Sequence, residues 1–282
     1  FSRSAPRLAE WTAIRPGVVR LVQANEALIV VAPDWAEPNA RFALGDELMP
    51  LPHVARADDS RFEHAVEVSI LGQNAPELRS WQLETSETVG RFSLRRWKNP
   101  SFERVAYDFL EHAEPPSMNV SLERADATVP CTFGKAKVTN GDLQGHPTYP
   151  SQRFQCPGSE EQFVGLTVVE DEQYRPRRCL WAHPAPDGEL VVRFDAVPLA
   201  SRIRGHGGSP YYINREQHGS RVELSVRVAG EQLGKYEHRD KAGWTPFDFS
   251  TERWRGQTQP VEFRIHARPA WQRMFCFEAT VR

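Results

Sequence analysis

Over the last hundred residues of the chain, apolar side chains fall on alternate positions: Val222, Leu224, Val226 and Val228, then Val261, Phe263 and Ile265, then Phe275, Phe277, Ala279 and Val281. Successive side chains of a strand point to opposite faces, so a period of two predicts strands with one buried face. Between them in the first two runs stand polar residues (Arg221, Glu223, Ser225 and Arg227; Glu262, Arg264 and His266), as an antiparallel sheet with a solvated outer face requires. Further strand runs lie at 163–170, 178–182, 189–194, 232–238 and 245–249, separated by Gly and Pro turn signals. Together they predict a jelly-roll-like antiparallel β-sandwich over residues 128–282.

The first part of the chain has a different texture. The apolar run from Ala27 to Ala32, stopped by Pro33, predicts a strand buried on both faces. Ahead of it, the apolar spacing from Leu8 to Val22 predicts one or two short helices, broken at Arg15-Pro16-Gly17. Residues 38–44 suit a helix, residues 65–71 alternate as a second strand, and residues 91–97 form a third strand candidate. Pro76 to Leu83 suits another short helix, with Pro in the first turn where its missing N–H costs nothing. Strand, helix, strand, helix, strand implies a small α/β domain with right-handed crossovers. Glu114-Pro115-Pro116-Ser117 has the composition of a linker. The expected organisation is an α/β domain at 1–114, a linker at 115–127 and the β-sandwich at 128–282.

Composition changes this picture only at its edges. A length of 282 residues exceeds the usual single core, and 40% hydrophobic with 26% charged residues is the make-up of a packed globular chain. The net charge is −2 and Lys and Arg are scattered, which argues against a nucleic-acid partner. The longest apolar run is too short to span a bilayer. The sequence opens at Phe1 without Met, which leaves room for a signal peptide or membrane anchor upstream.

Cys131, Cys156, Cys179 and Cys276 bear on the compartment. Four cysteines allow three pairings; proximity along the chain and strand placement favour Cys131 with Cys156 and Cys179 with Cys276. Free buried thiols and a zinc site are the alternatives, and zinc lacks the close Cys-x-x-Cys pairs it usually requires. Disulfides would place the protein outside the cytoplasm, whether periplasmic, lumenal or secreted.

Catalytic motifs are missing: there is no Gly-x-Ser-x-Gly elbow, no P-loop, no dinucleotide fingerprint and no His-Glu-x-x-His. No catalytic residue, cofactor or metal ligand is assigned on this basis. The acidic run Glu170-Asp171-Glu172 fits a solvated turn, with a cation site as the alternative. The segment Arg204-Gly205-His206-Gly207-Gly208-Ser209-Pro210-Tyr211-Tyr212 is unusual in composition. Its glycines admit a ligand close to the backbone, His206 can exchange a proton near neutrality, and the two tyrosines offer flat faces with hydroxyl tips. A flexible connection between strands would explain the same composition. Trp244, Trp254 and Trp271 are either core fillers or surfaces for sugar rings, while Trp181 and His183, in phase with Cys179, suit packing around a disulfide. The candidate ligand-binding set is therefore His206, Tyr211, Tyr212, Asn214 and Trp244.

From residue 128 onward the chain resembles the jelly-roll sandwiches of carbohydrate-binding modules and related exported proteins. The resemblance is carried by Val138-Thr139-Asn140-Gly141-Asp142-Leu143, the strand from Val222 to Val228, the turn Ala229-Gly230-Glu231, Gly243-Trp244-Thr245-Pro246-Phe247 and the closing aromatic strand. The order of elements in the first half is similar to the soluble extracytoplasmic region that follows the membrane part of some integral-membrane glycosyltransferases. The catalytic acidic residues of those enzymes lie in membrane-associated loops that this sequence does not contain, so that likeness implies a non-catalytic portion. The reading that follows is a non-catalytic extracytoplasmic binding or scaffolding protein, with glycan or a cell-envelope protein as partner. The alternatives are the soluble region of a membrane glycosyltransferase and a glycan-active hydrolase.

Overall fold

The computed structural model describes residues 5–22, 27–137, 148–158, 160, 162–216, 221–270 and 273–282. The chain divides into two compact units, Phe1–Arg104 and Val105–Arg282.

In the first unit, α1 (Leu8–Ala13) and α2 (Arg15–Val22) meet at Ile14, with Pro16 in the first turn of α2. The strand β1 (Leu28–Ala32) is buried along its whole length. The helices α3 (Glu37–Leu44) and α4 (Leu51–Val54) lead on to β2 (His64–Ile70), which runs parallel to β1 with Leu28 opposite Ala65. Trp11, Ile14, Val18, Ala40 and Leu44 pack on Val66, Val68, Ile70, Phe92 and Leu94 of the sheet. On the opposite sheet face, the buried Glu67 accepts hydrogen bonds from Ala75 N (2.7 Å) and Trp97 Nε1 (3.0 Å) and pairs with Arg95 at 3.2 Å.

One expectation fails in this unit. Residues 76–83 do not form a helix. A single 3₁₀ turn at Pro76–Leu78 is followed by β3 (Gln82–Val89), which turns at Gly90 into β4 (Phe92–Lys98). The sheet order is β1-β2-β4-β3, and the last two pairings are antiparallel. β3 is an edge strand, mostly exposed, so its sequence QLETSETV carries no apolar alternation to reveal it.

The second unit holds β5 (Tyr107–Asp108), β6 (Met118–Glu123), β7 (Thr128–Pro130), β8 (Thr132–Lys135), β9 (Gln152–Gln155), β10 (Phe163–Glu170) and β11 (Pro176–Ala182). It continues with β12 (Glu189–Pro198), β13 (Arg202–Gly208), α5 (Tyr211–Glu216), β14 (Val222–Val228), β15 (Glu231–His238), β16 (Thr245–Ser250), β17 (Thr258–Ala267) and β18 (Cys276–Val281). One sheet has the order β16-β13-β18-β11-β10-β9-β8 with β5 also paired to β18; the other is β15-β14-β17-β12-β6-β7. Every pairing in both is antiparallel. Their apolar faces share one core. The alternating residues named from the sequence, Val222 to Val228, Val261 to Ile265 and Phe275 to Val281, all lie in it with Phe109, Phe194 and Leu190. This is the expected β-sandwich.

Between those positions, the outer face of the β14–β17 sheet is held by ion pairs. Arg264 is buried against Glu123, Glu189 and Glu262, and Arg193 bridges Asp195 and Glu262. Both disulfides form as paired from the sequence, Cys131–Cys156 and Cys179–Cys276, the second joining neighbouring strands β11 and β18.

The segment read as a linker belongs to the sandwich unit. Glu114-Pro115-Pro116-Ser117 is a turn in which Ser117 N and Met118 N donate to Glu114 O (3.0 and 3.1 Å), and it feeds directly into β6. β6 lies against β12 from Met118–Phe194 to Glu123–Glu189 and sends Met118, Val120 and Leu122 into the core. Residues 107–108 pair with β18, so the second unit begins near Val105. No described helix is long and apolar enough to cross a membrane.

Candidate functional site

The glycine-rich segment 204–208 is neither a flexible connection nor a ligand loop. It is the centre of β13, hydrogen-bonded between β16 and β18. Its glycines are there because aromatic neighbours take the space: a Cβ on Gly207 would stand 2.8 Å from the Tyr236 ring, and one on Gly208 would stand 2.9 Å from the Trp244 indole. Tyr236 is tied across the strands, its hydroxyl hydrogen-bonded to Gly207 O (2.7 Å) and to the Thr245 hydroxyl (2.6 Å). Burial pushes its phenol up to about 12.

Along β13, Ile203 faces the core and Gly208 carries the Trp244 indole, so alternation sends His206 to the outer face with Gly208. There His206 Nδ1 meets Glu278 Oε1 at 2.8 Å, and the residue is 8% exposed. His206 is therefore a buried cross-strand partner of Glu278, which corrects its reading as an accessible loop donor.

Tyr211 and Tyr212 open α5, the segment that leaves β13 through Ser209 and Pro210. Their rings meet edge to face, with centroids 6.3 Å apart and planes at 86°. Tyr174 joins them from the β10–β11 turn, its ring 5.0 Å from that of Tyr211 and tilted by 57°. The Tyr212 hydroxyl donates to Met274 Sδ. Met274 and Trp244 both pack on the cluster of Phe163, Val169, Cys179, Trp181 and Cys276 that covers this face of the sheet. Trp181 thus packs around the disulfide as the sequence implied. Gly243, next to Trp244, stands against Glu172: a Cβ there would lie 3.1 Å from Glu172 Oε2. Three connections, 171–175, 209–216 and 239–244, are thereby brought together.

Tyr174 is the residue that sequence reasoning missed. It is 56% exposed and adopts a φ of 60°, a left-handed conformation that costs a bulky residue about 1–3 kcal/mol. Asp171 imposes it. Far from sitting in a solvated turn, Asp171 is 1% exposed. Its Oδ1 accepts from Gln173 N (2.9 Å) and Arg175 N (3.0 Å), its Oδ2 accepts from Arg177 Nε (2.9 Å), and its carbonyl accepts from Tyr174 N (2.9 Å). The only local hint in sequence is an Asp opening a turn between two strands, a common arrangement.

Asn214 lies in α5, but its side chain falls outside the described residues, as do Trp271 and the segment 138–143. Trp254 is a buried member of the core, under the guanidinium of Arg253. Among the described residues no group of three or more His, Cys, Asp and Glu side chains is arranged to hold a metal ion. A cavity of about 180 Å³ elsewhere in this unit is lined by Ala113, Glu114, Phe133, Pro150, Ser151, Gln152, Gly165 and Leu166. It offers one carboxylate where glycoside hydrolysis ordinarily needs a facing pair.

No family model matches the chain, and no curated protein matches it. Among solved structures, the chain is similar to the second CBM51 module with INT domains of ZmpB from Clostridium perfringens, in complex with GlcNAc (9% identity, 71% of this chain and 40% of that one, TM-score 0.32). It is also similar to the tandem CBM51 modules of a family 98 glycoside hydrolase from Streptococcus pneumoniae (8%, 58% and 48%, TM-score 0.34). A third is the K3 adhesin domain of Lys-gingipain from Porphyromonas gingivalis (12%, 62% and 93%, TM-score 0.29). The chain spans less than half the length of the first two. TM-scores this low carry no argument, so the sandwich rests on the strand pairings of this chain. The likeness of the first half to glycosyltransferase regions finds no support in these comparisons.

Proposed function

We propose that the sandwich unit binds glycan without transforming it, and that the protein works outside the cytoplasm. The observation that carries this reading is the gathering of Tyr174, Tyr211, Tyr212 and Trp244 from three separate connections. Sugar rings present apolar C–H faces that pack on aromatic rings, and their hydroxyls take partners from nearby polar groups. Tyrosine hydroxyls and the Glu172 carboxylate are of the right kind. The two disulfides favour an oxidising compartment. The binding expected is weak, because the sugar exchanges water hydrogen bonds for protein ones and gains mainly on its packed face, about 1 kcal/mol for each good aromatic contact.

Affinity gel electrophoresis of the intact protein tests it. Retardation by a soluble polysaccharide, reduced by Tyr211→Ala with Tyr212→Ala in a protein that stays folded, is the expected result. A folded sample that no envelope or matrix polysaccharide retards would leave an envelope protein as the better partner.

A further inference from the structure

We infer that this site, if it binds glycan as proposed, takes the face of one sugar unit on a soluble chain and not the surface of a flat crystalline polymer, and that Asp171 is the positioning residue that sets its outermost ring. Ring geometry is the argument. A flat polymer sheet presents one plane, and several aromatic rings contribute to holding it only when their faces are coplanar. Here the Tyr174 and Tyr211 planes are inclined by 57° and the Tyr211 and Tyr212 planes by 86°. Two planes so inclined cannot both lie against a third. A plane laid on one ring meets the others at an edge, where the C–H packing of a sugar face is lost.

The tilt is also not free to relax. Tyr212 is fixed by its hydroxyl to Met274, which is packed on the disulfide-centred cluster. Tyr174 is fixed from behind. Its left-handed backbone is held by Asp171, whose carboxylate ties Gln173 N, Arg175 N and Arg177 into one turn. That turn holds a strained, exposed aromatic residue where an unstrained turn with a small residue would connect the same two strands. Strain of this kind persists only where the surroundings enforce it. Tyr174 is thus the outermost ring, presented by a buried carboxylate that never touches the ligand.

The test uses the whole chain with two kinds of probe. Hydroxyethylcellulose, xylan, mannan and β-glucan in native gels report single chains; microcrystalline cellulose and α-chitin in sedimentation assays report flat surfaces. Retardation by at least one soluble polysaccharide, with no depletion by either powder, is expected. Tyr174→Ala should weaken retardation roughly fivefold, the loss of one aromatic contact. Asp171→Ala should weaken it equally and add nothing in the Tyr174→Ala background, whereas Asp171→Asn, which keeps the Oδ1 acceptor for the two backbone N–H groups, should retain binding. Tyr174→Ala removes an exposed side chain and carries the test where Asp171→Ala does not fold. Depletion by either powder, unchanged binding of Tyr174→Ala, or additive losses in the double variant would each overturn the inference while leaving glycan binding intact. Absence of any retention removes the glycan reading itself, and this inference with it.

Discussion

Lowering the pH from 7.5 to 5.0 should destabilise the sandwich unit by about 4 kcal/mol through two buried imidazoles. His183 and His238 are 5% and 2% exposed; among the described residues, His183 Nδ1 and both ring nitrogens of His238 have no hydrogen-bond partner. Burial pushes each imidazole down from 6.5 to about 4, since neither site can solvate a charged ring. Around His238, Asp240 opposes that shift and Arg273 adds to it. Both rings are neutral in the folded protein, while in the unfolded chain they take up protons below about pH 6.5. The unfolded state therefore binds more protons between pH 6.5 and 4, and stability falls as pH falls through that window. At pH 5.0, about 1.5 units below the ordinary value, each histidine costs about 2 kcal/mol at roughly 1.4 kcal/mol per unit. Two such sites remove a large part of the 5–15 kcal/mol typical of a domain. Urea titrations followed by tryptophan fluorescence at both pH values measure the loss. A variant carrying His183→Leu and His238→Leu has nothing to protonate at these sites and should lose about 4 kcal/mol less than the parent over the same interval. Equal losses in parent and variant would refute the assignment.

Two further outcomes follow from the covalent and topological framework. A fragment spanning residues 105–282 should fold alone under oxidising conditions, whereas one spanning 128–282 should not, because it lacks β6 and with it Met118, Val120, Leu122 and the ladder partner of β12; circular dichroism and thermal melts of both fragments decide this, and a folded 128–282 fragment contradicts it. Non-reducing peptide mapping should recover Cys131 linked to Cys156 and Cys179 linked to Cys276, bridges that on the chain-entropy model stabilise by about 3.5 and about 4.7 kcal/mol; four alkylatable thiols in native protein would exclude them.

What could be read in advance was whatever burial writes as a period. The β1 run, with all five residues inside, and the alternations of β2, β14, β17 and β18 named their elements because each has at least one face in a core. β3 was lost for the same reason inverted: an exposed edge strand has no buried face to print. β6 was lost because Pro115 and Pro116 stand three and two residues before it, and their composition suggests a linker although they make a turn. Both failures come from reading local composition where long-range pairing decides, with β6 held by β12 some seventy residues away.

The candidate site divides along a different line. Tyr211, Tyr212 and Trp244 could be picked out because their flat apolar faces with polar tips are legible from residue type alone, and the fold does gather them on connections that adjoin Gly208 and Thr245. The glycines beside them misled. Gly205, Gly207 and Gly208 supported a loop because glycine permits close approach, and close approach is indeed what they serve; the approaching groups are Phe247, Tyr236, Phe275 and Trp244 of the protein itself. A sequence shows that a backbone must be reached closely without showing by what. Tyr174 marks the converse limit. Its presentation depends on a carboxylate three residues earlier, two backbone N–H groups, an arginine on the following strand and a second tyrosine 37 positions on, and only the fold assembles them. Residue types establish what chemistry is present, but whether tyrosines make a plane or a tilted array is set by a buried carboxylate and the backbone N–H groups it ties, and on this reading that tilt decides which glycans can bind.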